Sequence, residues 1–75
     1  MIQFINNDTG QTVNWVIGQG VPGINQAGNF TAVADGAEKT LIKDNFPGLP
    51  FHRGVDRIIW RGDNARFLAD NVGLV

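Results

Sequence analysis

Ten glycines and three prolines cut this 75-residue chain into short pieces, and that punctuation limits its fold more than any other feature. A glycine inside a helix costs about 1 kcal/mol relative to alanine and a proline about 3 kcal/mol, so few windows can carry a helix. The pieces between breakers are rich in Val, Ile, Phe, Trp and Thr and are bounded by Gly, Asn, Asp and Pro. That is the pattern of strands and turns. The expectation is an all-β domain, a small barrel or sandwich of five to six strands built from three hairpins.

The first hairpin is expected over residues 2–17, turning at Asn6-Asn7-Asp8-Thr9-Gly10, whose residue types suit tight turns. The second is expected over residues 29–43. There Asp35-Gly36 is a two-residue hairpin signal between Phe30-Thr31-Ala32-Val33-Ala34 and Glu38-Lys39-Thr40-Leu41-Ile42, in a register that faces Phe30 with Leu41. The third is expected over residues 55–69, about Arg61-Gly62-Asp63-Asn64. Its register is open by one residue, a slip that exchanges inward and outward side chains. A short helix over residues 66–71, capped by Asp63 or Asn64 and stopped by Gly73, competes with the last strand. The candidate core is Phe4, Val13, Trp15, Phe30, Val33, Leu41, Ile58, Trp60 and Phe67.

Residues 1–75 read as one domain with two unusual connections. Residues 18–28 hold four glycines and no charge, which implies a mobile or tightly draped loop. Residues 44–54 form an arm stiffened by Pro47 and Pro50 that carries Phe46, Leu49 and Phe51. Those three apolar side chains either fold back over the chain's own barrel or dock on a neighbouring chain. A domain this short buries only about 60% of its unfolded surface, which makes oligomerisation or docking a reasonable expectation.

The inventory for chemistry is thin. With no cysteine there is no disulfide framework and no thiolate metal site, and with no serine and a single histidine, His52, neither Ser-His-Asp nor Cys-His catalysis can be assembled in one chain. Asp8, Asp35, Asp44, Asp63 and Asp70 have turn-forming reasons to be where they are, and Asp56 is better placed to pair with an arginine than to act as a base. Gly18-x-Gly20-x-x-Gly23 matches the dinucleotide fingerprint, but Pro22 and the strand-like sequence after Gly28 supply no helix to meet a pyrophosphate. Arg61-Gly62-Asp63 spells an adhesion tripeptide, but turn chemistry accounts for Gly-Asp-Asn regardless of function and nothing points to secretion, and the glycosylation patterns at Asn7 and Asn29 matter only in a secretory pathway. The chain is therefore expected to be no enzyme, with no cofactor, no metal and no small-molecule substrate.

Six basic residues against seven acidic ones argue against nucleic acid, and apolar runs of two or three residues argue against a membrane span. The first eight residues lack the basic and apolar regions of a signal peptide, so the chain is expected to be made in the cytoplasm without export. The one non-random charge feature is that Arg53, Arg57, Arg61 and Arg66 fall within 14 residues, whereas the first 38 residues hold no base. Either they line a solvated strand face, or their guanidinium forks recognise carboxylates at an interface, with Trp60 available for stacking. Together with Phe46, Leu49 and Phe51 they make the candidate interface, an apolar centre with a charged rim.

In size, in its glycine- and asparagine-rich β character and in its scarcity of lysine, the chain resembles the small accessory proteins of tailed-phage virions that decorate or cement a capsid shell. The resemblance implies a non-enzymatic module in the virion, many copies of which stabilise a larger assembly through a protein partner or homo-oligomer contacts. The alternative is a small inhibitor that covers a partner's active site.

Overall fold

The first hairpin forms where the turn residues put it. In a computed structural model, which describes residues 1–20, 22–24 and 28–74, β1 (Ile2–Asn6) pairs antiparallel with β2 (Thr12–Trp15). Asn6 is buried at the turn, and its side-chain oxygen accepts hydrogen bonds from the backbone N–H of Asp8 at 2.9 Å and Thr9 at 3.2 Å. Asp8 in turn accepts from the Asn29 backbone N–H at 3.1 Å, and the Asn7 amide and Thr31 hydroxyl bond each other. The turn thereby fixes the start of β3 (Phe30–Asp35), which pairs with the other side of β1.

β5 (Arg57–Arg61) lies antiparallel to β3, and the two-residue β4 (His52–Arg53) lies outside β5. The result is one five-stranded antiparallel sheet in the order β2-β1-β3-β5-β4. The strand count agrees with expectation and the closure does not: β2 and β4 remain as free edges, so the sheet is neither a barrel nor a sandwich. Two short helices, rather than further strands, cover one of its faces.

Both helices replace an expected hairpin arm. Asp35-Gly36 ends β3 and begins α1 (Gly36–Asn45), so Phe30 lies opposite Asn6 of β1 and has no partner in Leu41. Gly62 ends β5 and leads into α2 (Asp63–Asn71), which is continued by a 3₁₀ turn over Val72–Leu74. The tail thus takes the competing helical form, and its helix starts three residues earlier than expected. Gly36 and Gly62 do reverse the chain, with φ of +57° and +60°, but the residues beyond each glycine decide what the reversal leads into. Stretches 37–46 and 63–72 are the two longest without Gly or Pro, each ten residues, and they are rich in Ala, Leu, Lys, Arg and Asp. Ten residues free of breakers suffice for the short helices found here.

The core obeys the two-residue period of the strands. On one sheet face lie Ile2 and Phe4 of β1, Trp15 of β2, Phe30, Ala32 and Ala34 of β3, and Ile58 and Trp60 of β5, all buried. Ile42 of α1 and Ala65, Leu68, Ala69 and Val72 of the C-terminal segment close over them. Phe4, Trp15, Phe30, Ile58 and Trp60 of the expected core are thus correct. Val13 is half-buried on an edge strand, Val33 is half-buried on the opposite sheet face, and Leu41 and Phe67 are exposed because their segments are helices that turn them outward. The core alanines carry no signal in the sequence, yet their small side chains let α2 approach the sheet closely. Neither Trp15 Nε1 nor Trp60 Nε1, both buried, has a hydrogen-bond acceptor among the described residues.

Candidate interaction cleft

α1 carries Glu38 in its first turn and Lys43 in its last, charges that complement the helix dipole. Lys39 and Lys43 are four residues apart and so share one side of the helix. Facing them is the β4–β5 hairpin, which turns at Gly54-Val55-Asp56 and is closed by the Gly54 N–H donating to the Arg57 carbonyl at 2.8 Å. Between helix and hairpin lies an open cleft of about 250 Å³. Its walls are Lys39, Thr40 and Lys43 on one side and Arg53, Gly54, Val55, Arg57 and Ile58 on the other.

Four of the chain's six bases therefore border one cleft, and no carboxylate among the described residues lines it. None of the four has an ion pair with a carboxylate among the described residues, whereas Arg66 is paired with Asp70 at 3.3 Å. Arg57 also borders a shallower groove that holds Asp35 and Asp56, so its charge is shared, but Lys39, Lys43 and Arg53 border the cleft alone. Next to the cleft, the Lys43 ammonium sits 5.4 Å from the centre of the Phe51 ring, which leans on Trp60 at 6.3 Å. Phe51 is 40% exposed, and Val55 at the hairpin tip is 97% exposed.

The expected interface is thus divided. Phe51, Arg53 and Arg57 come together at the cleft. Phe46, at the end of α1, and Leu49 pack against the chain's own core, and Phe46 meets Phe67 edge-to-face at 5.8 Å. The arm accordingly lies over its own domain for most of its apolar length. Arg61 is exposed on the sheet face opposite the core, where it pairs across to Thr31, and Arg66 lies on α2 with its guanidinium 5.6 Å from the Phe30 ring. Arg66 thus stacks on Phe30 rather than on Trp60. Lys39 and Lys43, which also line the cleft, lie outside the expected set; their signal is the i,i+4 spacing inside a breaker-free stretch, which a strand reading of that stretch hides.

The remaining motifs have structural explanations. Gly62 of the Arg61-Gly62-Asp63 tripeptide donates its N–H to the Phe30 carbonyl at 2.8 Å and joins strand to helix, so the tripeptide is not at a hairpin tip. The element after Gly18-x-Gly20-x-x-Gly23 is the strand β3, with Val21 and residues 25–27 outside the described residues. His52 lies exposed on β4, and among the described residues no three His, Asp or Glu side chains converge as metal ligands would. No described helix is long and apolar enough to cross a membrane. Comparison with protein-family models, with characterised proteins and with solved structures gives no match.

Proposed function

We propose that this chain is a non-enzymatic interaction module that docks on a larger protein through the flank formed by α1 and the β4–β5 hairpin. One observation carries the reading: four cations without carboxylate partners among the described residues surround a cleft whose border exposes Phe51 and Val55. Like charges gathered around one cleft repel one another, and an apolar residue at 97% exposure gains nothing from folding, so neither the clustering of the four cations nor the exposure of Val55 stabilises the isolated domain. An apolar anchor beside a charged rim is the anatomy of a protein interface, in which guanidinium groups and aromatic rings contribute most of the energy. The partner in keeping with the chain's size and composition is a repeating shell of the kind decorated by the accessory proteins of tailed-phage virions. The protruding Val55 supports a second reading, a one-to-one inhibitor whose hairpin tip enters a partner's cleft.

Site-specific photo-crosslinking in the native host tests the proposal. A photoreactive side chain at Val55 is expected to give one discrete adduct with a larger protein, while the same group at Asn14 on the far edge gives none. Many copies per partner assembly indicate the shell and a single copy the inhibitor. Equal labelling from both positions, or none from Val55, overturns the docking reading.

A further inference from the structure

We infer that the cleft between α1 and the β4–β5 hairpin receives an acidic, extended segment of the partner, with at least two carboxylates side by side and an apolar residue next to them. The inference rests on the docking reading and names the chemistry of the group that docks. Lys39, Lys43 and Arg53 border the cleft alone, Arg57 borders it in part, and Thr40 adds a hydroxyl. One carboxylate would leave most of that charge unbalanced, so the complementary ligand carries several negative charges. Arginine forks at the β4–β5 wall match carboxylates in bidentate geometry, and the two lysines opposite act as point charges that tolerate variation in position.

Two observations favour a peptide over a polyphosphate. Four of the six bases border this one cleft, and Arg61 and Arg66 lie apart from it on the opposite sheet face and on α2, which in a chain of net charge -1 gives no continuous basic stripe for a nucleic-acid backbone to track. Beside the cleft, the Phe51 ring already carries the Lys43 ammonium, which occupies a ring that an unstacked base would need, and Val55 offers exposed aliphatic surface. An aliphatic side chain flanked by glutamates or aspartates complements both parts.

The test uses the full chain and a blocked pentapeptide of four glutamates around one leucine, with inorganic phosphate and a thymidine oligonucleotide as competing probes. Titration monitored by backbone amide shifts is expected to show saturable binding confined to residues 39–43 and 53–58. Lys43→Gln and Arg53→Gln should each weaken it about threefold and the double variant about tenfold, the loss expected when exposed charge contacts are removed. Asn14→Glu, which changes net charge as much as either single variant, should leave it unaltered. Shifts scattered over the surface, equal weakening by Asn14→Glu, or tighter binding of phosphate or oligonucleotide than of the peptide at equal salt would overturn the inference. Concentration-dependent self-association abolished by Lys43→Gln would also overturn it, because the acidic group would then belong to a second copy. Melting curves of each variant separate lost binding from lost folding. A discrete adduct at Val55 without peptide binding leaves docking intact and rejects the acidic segment, while peptide binding without an adduct does the reverse.

Discussion

The two helices are built alike at their ends and differently along their faces. Each begins at a positive-φ glycine and has no side-chain cap at its start. Each ends with an asparagine donating its amide to the carbonyl four residues back, Asn45 to Leu41 at 2.8 Å and Asn71 to Phe67 at 2.7 Å. α2 and its extension bury Ala65, Leu68, Ala69 and Val72, the i, i+3, i+4, i+7 stripe of an amphipathic helix. α1 buries Ile42 alone, and the rest of its inward side is Glu38, Lys39 and Lys43, half-buried, while Leu41 points to solvent. Similar length and similar ends therefore do not give equal roles. α2 is part of the core, and α1 contributes one fully buried side chain, with Phe46 packed at its end, and presents charge to the cleft.

If that contrast is right, truncating the two anchors should have separable effects. Leu68→Ala removes a fully buried side chain from the core and leaves a cavity, and it should lower global stability by about 2–5 kcal/mol. In a domain of this size that is a large share of the total, and chemical denaturation would read it directly. Ile42→Ala should cost less, about 2 kcal/mol, because α1, with Ile42 as its one fully buried side chain, can settle or lift at the vacated site. Amide exchange sharpens the comparison: Ile42→Ala should speed exchange in residues 38–45 selectively, and Leu68→Ala should speed it throughout the sheet. Equal, global acceleration by both changes would make α1 as much a core element as α2.

The same contrast explains which parts of the molecule could be read from sequence. The N-terminal hairpin was legible because Asn6-Asn7-Asp8-Thr9-Gly10 leads into Gln11-Thr12-Val13-Asn14-Trp15, where alternation and β-branching agree with the turn. At Asp35-Gly36 the turn chemistry was legible and its consequence was not. The next six residues are Ala37-Glu38-Lys39-Thr40-Leu41-Ile42, whose helix formers outweigh the strand-like Thr and Ile, and Asp35 with Glu38 has the spacing of a capping box. The box does not form, since Glu38 Oε1 is paired with the Met1 amine and Asp35 makes no cap bond, so the helix rests on propensity, on that ion pair and on the burial of Ile42 with Phe46 at its end. α2 was legible as an alternative through its spacing. The cleft was half legible: the arginines stood out by clustering, but Lys39 and Lys43 join them only when residues 36–45 are wound into a helix.

Gly36→Val probes the junction that begins α1. A Cβ at this position meets nothing within 4 Å, so the substitution introduces no clash and its cost is that of holding a β-branched residue at φ +57°. That cost is about 1–2 kcal/mol. Thermal unfolding should register it as a loss shared with Gly36→Ala, because both side chains are disfavoured in this backbone region. A valine as stable as the glycine would mean that α1 can start without the reversal, and the contrast between the helices would then lie in their faces alone.

The smallest expected effect is the most pointed, because its sign opposes the usual one. Lys39 is half-buried, makes no ion pair among the described residues and lies one turn from Ile42, where an apolar side chain would extend the single-residue anchor. Replacing it with leucine, a comparable helix former, should therefore stabilise the domain by about 0.5–1 kcal/mol and slow amide exchange in α1 toward that of α2. The same change removes one of the cations that border the cleft alone, and it should weaken binding of the glutamate-rich peptide. A gain in stability joined to a loss of binding is the signature of a residue retained for recognition at the expense of packing. Were Lys39→Leu to destabilise the chain, the lysine would be serving the fold, and the difference between the two helices would reflect how each is held and not what each is for.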